Sequence, residues 1–88
     1  MAKYLFQGSF TAEGLKGLIK AGGSSRREAA DQLAKSLGGK LEAYYFAFGG
    51  SDFYVIMDVP DNVSSCAGAL IANVSGAVNL KTIVLLTP

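Results

Sequence analysis

Residues 52–59 read Asp-Phe-Tyr-Val-Ile-Met-Asp-Val, and Pro60-Asp61-Asn62 follow at once. From Phe53 to Met57 every residue is apolar or aromatic, so an extended segment here is apolar on both faces. That pattern belongs to a central strand covered on both sides. Pro60 has no N–H to continue a ladder and ends the strand. On the N-terminal side, Gly49-Gly50-Ser51 is a turn of hairpin length. Lys40 to Phe48 then reads as the paired strand, with Tyr44, Tyr45, Phe46 and Phe48 in five positions. On the C-terminal side, Asp61 or Asn62 caps a helix whose apolar stripe is Val63, Cys66, Ala67, Leu70, Ile71 and Val74. This spacing places the Cys66 thiol in the core. Gly76 follows as the helix stop, and Ala77 to Leu86 forms a last strand, again apolar on both faces.

The first half of the chain completes the pattern. Residues 3–11 alternate, with Tyr4, Phe6 and Phe10 on one face and Leu5, Gln7 and Ser9 on the other. Gly8 within this strand points to a bulge or a close approach by another group. Thr11 caps a short helix carrying Leu15, Leu18 and Ile19, which Gly22-Gly23 ends. Ser25-Arg26-Arg27-Glu28 fits the S-x-x-E capping box for a second helix. Its stripe is Ala29, Ala30, Leu33, Ala34 and Leu37, with Gly38-Gly39 as the stop.

The order is therefore βαββαβ, with the first helical segment split in two. Interleaved crossovers of this kind give one four-stranded antiparallel sheet with the helices on one face, an α+β ferredoxin-like sandwich. The segment 52–59 falls at the sheet centre in that topology. The 88 residues are enough for one domain, spanning 1–88. Half of the residues are apolar and only 17% are charged, so the chain has much to bury and little to repel. Helices cover only one sheet face. The apolar residues on the other face predict a homodimer through the open face, with a higher oligomer as a further possibility.

The composition also narrows the chemistry. There is no histidine, which removes Ser-His-Asp and Cys-His nucleophile pairs and histidine metal sites. No metal and no cofactor are expected. Eight basic residues against seven acidic ones leave a net charge of +1, and nothing basic clusters beyond Arg26-Arg27, so no nucleic-acid partner is expected. The longest apolar run, Ala43 to Phe48, is far too short for a membrane span. Met1 to Tyr4 has no apolar region behind it, so no signal peptide is expected. One unpartnered cysteine suits a reducing cytoplasm.

Several short segments together carry a resemblance. These are Tyr4-Leu5-Phe6-Gln7, Gly22-Gly23-Ser24-Ser25-Arg26, Leu37-Gly38-Gly39-Lys40-Leu41, Phe46-Ala47-Phe48-Gly49 through Asp52, Pro60-Asp61 and Gly76-Ala77-Val78. In this order, over most of the chain, they resemble the GYD domain family of small bacterial and archaeal proteins. The resemblance implies the dimeric α/β-barrel type of fold and no established activity. The family's naming motif has tyrosine directly before the aspartate. Here Ser51 holds that position, between Gly50 and Asp52, so any chemistry of that hydroxyl is absent at this place.

The candidate site residues form three groups. Gly22-Gly23-Ser24-Ser25-Arg26-Arg27 combines glycines, two hydroxyls, two guanidiniums and a helix N-terminus, the ingredients of an anion site; helix capping and solvated arginines account for the same residues. Tyr44 and Tyr54, with Tyr45, Phe46 and Phe48, can line an apolar pocket with phenol donors or form core and interface. Asp52 can serve as a base beside such a pocket or fix the hairpin through backbone N–H groups. Gln7 and Ser9 face either a cleft between sheet and helices or the dimer interface. Asp58 is either desolvated or exposed at a strand end. Two functions follow. One is a homodimeric module that binds a small molecule, anions included, or plays a structural part. The alternative is a cofactor-free enzyme of the dimeric-barrel type, monooxygenase- or isomerase-like, acting on a small apolar or aromatic substrate. A cavity of roughly 300 Å³ or more with convergent polar groups favours a ligand site.

Overall fold

The computed structural model describes residues 2–88. Its elements run β1 (Ala2–Phe10), α1 (Ala12–Ala21), α2 (Gly23–Ser36), β2 (Lys40–Phe46), β3 (Phe53–Val59), α3 (Asn62–Val74) and β4 (Val78–Leu85). The four strands form one sheet in the order β2-β3-β1-β4, and every neighbouring pair is antiparallel. The βαββαβ order and the ferredoxin-like α+β class are therefore as read from the sequence, with β1 and β3 at the centre.

Alternation decides which residues enter the core. Tyr4, Phe6 and Phe10 of β1 and Phe53, Val55, Met57 and Val59 of β3 are all buried on the helix-covered face. They form one apolar cluster with Ala34 and Val78. Their neighbours in sequence point to the open face. There the register sets Lys3 beside Asp58, Leu5 beside Ile56 and Gln7 beside Tyr54. The same three β1 residues meet Leu85, Ile83 and Lys81 on the other side.

Local chemistry explains the element boundaries. The Thr11 hydroxyl accepts the Gly14 N–H at 3.1 Å and donates to the Gly76 carbonyl at 2.6 Å, so one side chain starts α1 and ties it to the turn before β4. The Asp61 carboxylate accepts the Ser64 N–H at 2.8 Å and starts α3. Gly22, at φ +86°, both closes α1 and opens α2. This left-handed break needs glycine.

Four expectations are corrected here. The capping box at Ser25–Glu28 does not form. The N-cap lies three residues earlier, at Gly22, which has no side chain to contribute, and the helix begins at Gly23. Strand β2 ends at Phe46, and the Phe48 side chain is fully exposed in the hairpin loop. On α1, Leu18 packs against the core while Leu15 and Ile19 are exposed.

The largest correction concerns α3. Val63, Leu70, Ile71 and Val74 are all more than half exposed, and Cys66 is exposed rather than a core thiol. The buried residues are Ser65 and Gly68, with Ala69 and Ala72 packed beside the core. Close approach is the reason. A Cβ on Gly68 would lie 2.7 Å from Leu37 Cδ1, so the helix turns its smallest residues inward and its branched ones outward.

Candidate functional site

The space between the covered sheet face and helices α2 and α3 holds a cavity of about 230 Å³. Small side chains create it. Ala29 and Ala30 of α2 and Gly68 and Ala72 of α3 border it where larger residues would close the gap. The floor is apolar, supplied by Phe6, Phe53, Val55 and Met57 of the two central strands. The volume falls below the roughly 300 Å³ named above, at the lower bound for drug-sized ligands. It suits a ligand of only a few atoms beyond one ring.

Two of the candidate residues meet at this cavity. Arg26 and Tyr44 both line it, and they are its ionisable groups. Tyr44 packs edge-on to Phe46, with centroids 5.1 Å apart, and is stacked on Phe53 at 6.5 Å. Burial pushes the Tyr44 phenol above its ordinary value of 10.0, and the neighbouring Arg26 guanidinium offsets part of that rise. The phenol is thus a protonated donor at neutral pH. The Arg26 guanidinium carbon sits 5.5 Å from the centroid of Phe10, over the ring face. Its Nε is buried and has no hydrogen-bond acceptor among the described residues. Phe10 is itself fixed by Phe53 at 5.2 Å and Phe46 at 6.3 Å.

The other candidates lie elsewhere. Ser24, Ser25 and Arg27 are exposed on the first turn of α2. Asp52 works in the hairpin: its carboxylate accepts the Phe10 N–H at 3.0 Å. Its own N–H donates to the Gly8 carbonyl at 2.7 Å, and its carbonyl accepts the Ala47 N–H at 2.8 Å. Gln7, Ser9 and Tyr54 belong to the open face, away from the cavity, by the alternation of β1 and β3. The aromatic concentration around the hairpin is therefore divided. Tyr44 and Phe46 point toward the helices, while Tyr45 and Tyr54 are exposed on the opposite face.

The open face has its own electrostatics. Asp58 is the desolvated carboxylate of the two alternatives, with its side chain 10% exposed. It accepts from Lys3 Nζ at 3.1 Å, with Lys40 Nζ 4.0 Å away. Lys3 also reaches Glu42 at 2.7 Å. The Glu42 carboxylate, and then that of Asp58, hold the Lys3 ammonium above its ordinary value of 10.5. A β-bulge between Leu41 and Ala43 accompanies this arrangement.

Reading the residues alone missed the alanine and glycine lining. The signal was present as Ala29, Ala30 and Ala34 within one helix, small residues where a packed helix usually carries leucine. Among the described residues no group of three or more acidic residues or cysteines is placed to hold a metal ion. No helix among them is long and apolar enough to cross a membrane.

An antiparallel four-stranded sheet in this strand order, with its helices on one face, defines the ferredoxin-like α+β sandwiches. Within that class the chain belongs to the GYD domain family, whose model matches residues 4–88. No curated protein matches it. Among solved structures it is similar to the NE2512 protein of unknown function from Nitrosomonas europaea. That likeness has a TM-score of 0.48 at 20% identity and covers 98% of this chain and 89% of the other.

Proposed function

We propose that this chain is a small-molecule-binding module that works as a homodimer through its open sheet face. The cavity between sheet and helices carries the proposal: its walls are apolar, and one buried guanidinium nitrogen without a protein acceptor lies at its border. That combination of an apolar enclosure with few polar groups is the usual make-up of a ligand site. A binding role is favoured over a cofactor-free enzyme by the residues at the cavity. None has an ordinary pKa near neutrality, where general acid–base catalysis works best, and burial moves Tyr44 further from it.

The dimer is supported by surface area. The folded chain exposes 5444 Å², whereas a 9.2 kDa monomer is expected to expose roughly 4,900 Å². The apolar row Leu5, Ile56 and Ile83 crosses the open face, and burying it against a second copy removes part of that excess.

A thermal-shift screen of single-ring fragments, charged and neutral, tests the binding role. At least one fragment raises the melting temperature of the parent in a saturable way. The effect disappears in Ala72→Leu, which fills the cavity from α3. A parent that no fragment stabilises, or a filled variant that responds equally, removes the reading. Sedimentation equilibrium at low micromolar concentration tests the dimer, and a monomer there refutes it.

A further inference from the structure

We infer that the cavity takes a small apolar monoanion, a carboxylate on a body of about one ring, with its charged end on the Nε–H of Arg26. This rests on the cavity being a ligand site, as proposed above. Four observations carry it.

The first is the unmatched donor. A buried N–H with no acceptor costs about 1–3 kcal/mol, and more on a charged group, and Arg26 Nε is such a group. A carboxylate oxygen is the acceptor that suits a guanidinium edge. The second is the absence of a counter-ion. The ion pairs among the described residues are made by Lys3, Lys35 and Lys40, and no carboxylate lies within 4 Å of Arg26. A neutral ligand would leave that charge at the cavity border uncompensated.

The third is placement. The Arg26 guanidinium lies over the Phe10 ring and beside the Tyr44 phenol, and Arg26 and Tyr44 both line the cavity, so a cation and a phenol donor stand together where an anion's oxygens would lie. Arg26 also lies near the start of α2, whose first turn contains no acidic residue. The positive end of the helix adds to the same potential.

The fourth is what the rest of the wall lacks. Beyond Arg26, Tyr44 and Ser75 the lining is apolar, so a second or third negative charge has no buried partner. Arg27, Ser24 and Ser25, which a phosphate would need, are exposed on the helix surface. One charge with an apolar body is therefore the best match, and the volume of about 230 Å³ limits that body to roughly one ring.

Titration calorimetry with benzoate, its neutral counterpart benzamide and inorganic phosphate tests this on the full chain. The parent binds benzoate about tenfold or more tighter than benzamide, the effect of one charge-assisted hydrogen bond, and phosphate does not compete. In Arg26→Met, which keeps an aliphatic stem over Phe10, the preference falls to about one while benzamide binding changes little. Arg27→Met keeps the parent preference. Equal binding of benzoate and benzamide by the parent overturns the monoanion and leaves the binding reading standing. So does a preference that survives in Arg26→Met, or phosphate that displaces benzoate. Failure of both ring compounds to bind removes the site itself. The parent measurement decides even if the Arg26 variant does not fold.

Discussion

The covered face of the sheet carries seven buried apolar residues from β1 and β3, among them Tyr4, Phe6, Phe53 and Val59, and the one polar demand among them, the Tyr4 hydroxyl, is met by Asn62 at 2.6 Å. The open face, built from the same strands, is banded. Lys3, Glu42 and Asp58 hold one end through ion pairs, Leu5, Ile56 and Ile83 cross the middle, and Gln7, Tyr54 and Lys81 occupy the other end. The covered face is completed by the chain's own helices. On the open face the apolar band gains cover only from a second layer, while the polar ends can fix how that layer sits. One strand thus serves folding on one side and, in the homodimer proposed above, assembly on the other.

The sharpest way to break this comparison is to truncate each face in turn. Phe6→Ala removes a ring from the covered face and is expected to cost about 3–5 kcal/mol in chemical denaturation. Ile56→Lys, on the open face, should leave the unfolding free energy of the monomer within about 1 kcal/mol of the parent while abolishing the dimer in sedimentation. Equal losses from the two substitutions would show that the faces do not divide the labour. A smaller effect is expected at the β1–β4 seam. A Cβ on Gly8 would press on the Asn79 carbonyl, so Gly8→Ala should cost about 1–3 kcal/mol through strand displacement, read as a lower denaturation midpoint. Full stability in that variant would mean that β4 yields freely.

The smallest effect is at the fastening of α3 over the covered face. The Ser64 N–H bond lowers the Asp61 carboxyl below its ordinary value of 3.8. A depressed folded value means that the ionised carboxylate stabilises the fold above the unfolded pKa, and that this is lost as pH falls through the folded one. Asp61→Ala should therefore be less stable than the parent at pH 7, with the gap narrowing below about pH 4. A gap that stays constant down to pH 2 would mean that the charge of Asp61 plays no part.

The parts of the molecule readable from sequence are those where one physical term dominates. Phe53 to Met57 declares a strand by its unbroken run of apolar and aromatic residues, and the βαββαβ order then puts it at the sheet centre; the same two-faced apolar pattern in β4 lies at the edge. Thr11, Asp61 and Gly76 mark helix ends through local hydrogen bonds and backbone freedom. What stayed hidden depends on competition between neighbours. On α3 hydropathy puts Val63 and Leu70 inside, but Leu37 occupies the space that a side chain at position 68 would need. On α2 the serine-rich capping pattern loses to the left-handed turn at Gly22. At the site, Arg26 and Tyr44 were legible as a cation and a phenol among apolar residues. Their meeting at one cavity was not, because it depends on the gap left by alanines on α2. Gln7, Ser9 and Tyr54 fell to the open face through strand alternation alone.

Asp52 links these regions in series. By holding the Phe10 N–H and the Gly8 carbonyl, it fastens the β2–β3 hairpin to the end of β1. The Phe10 ring is in turn the surface on which Arg26 rests. The hairpin that carries Asp52 is therefore joined through Phe10 to the guanidinium at the cavity border. Under the binding role proposed above, an exchange at Asp52 is expected to shift Arg26, and so the ligand preference, from outside the cavity lining.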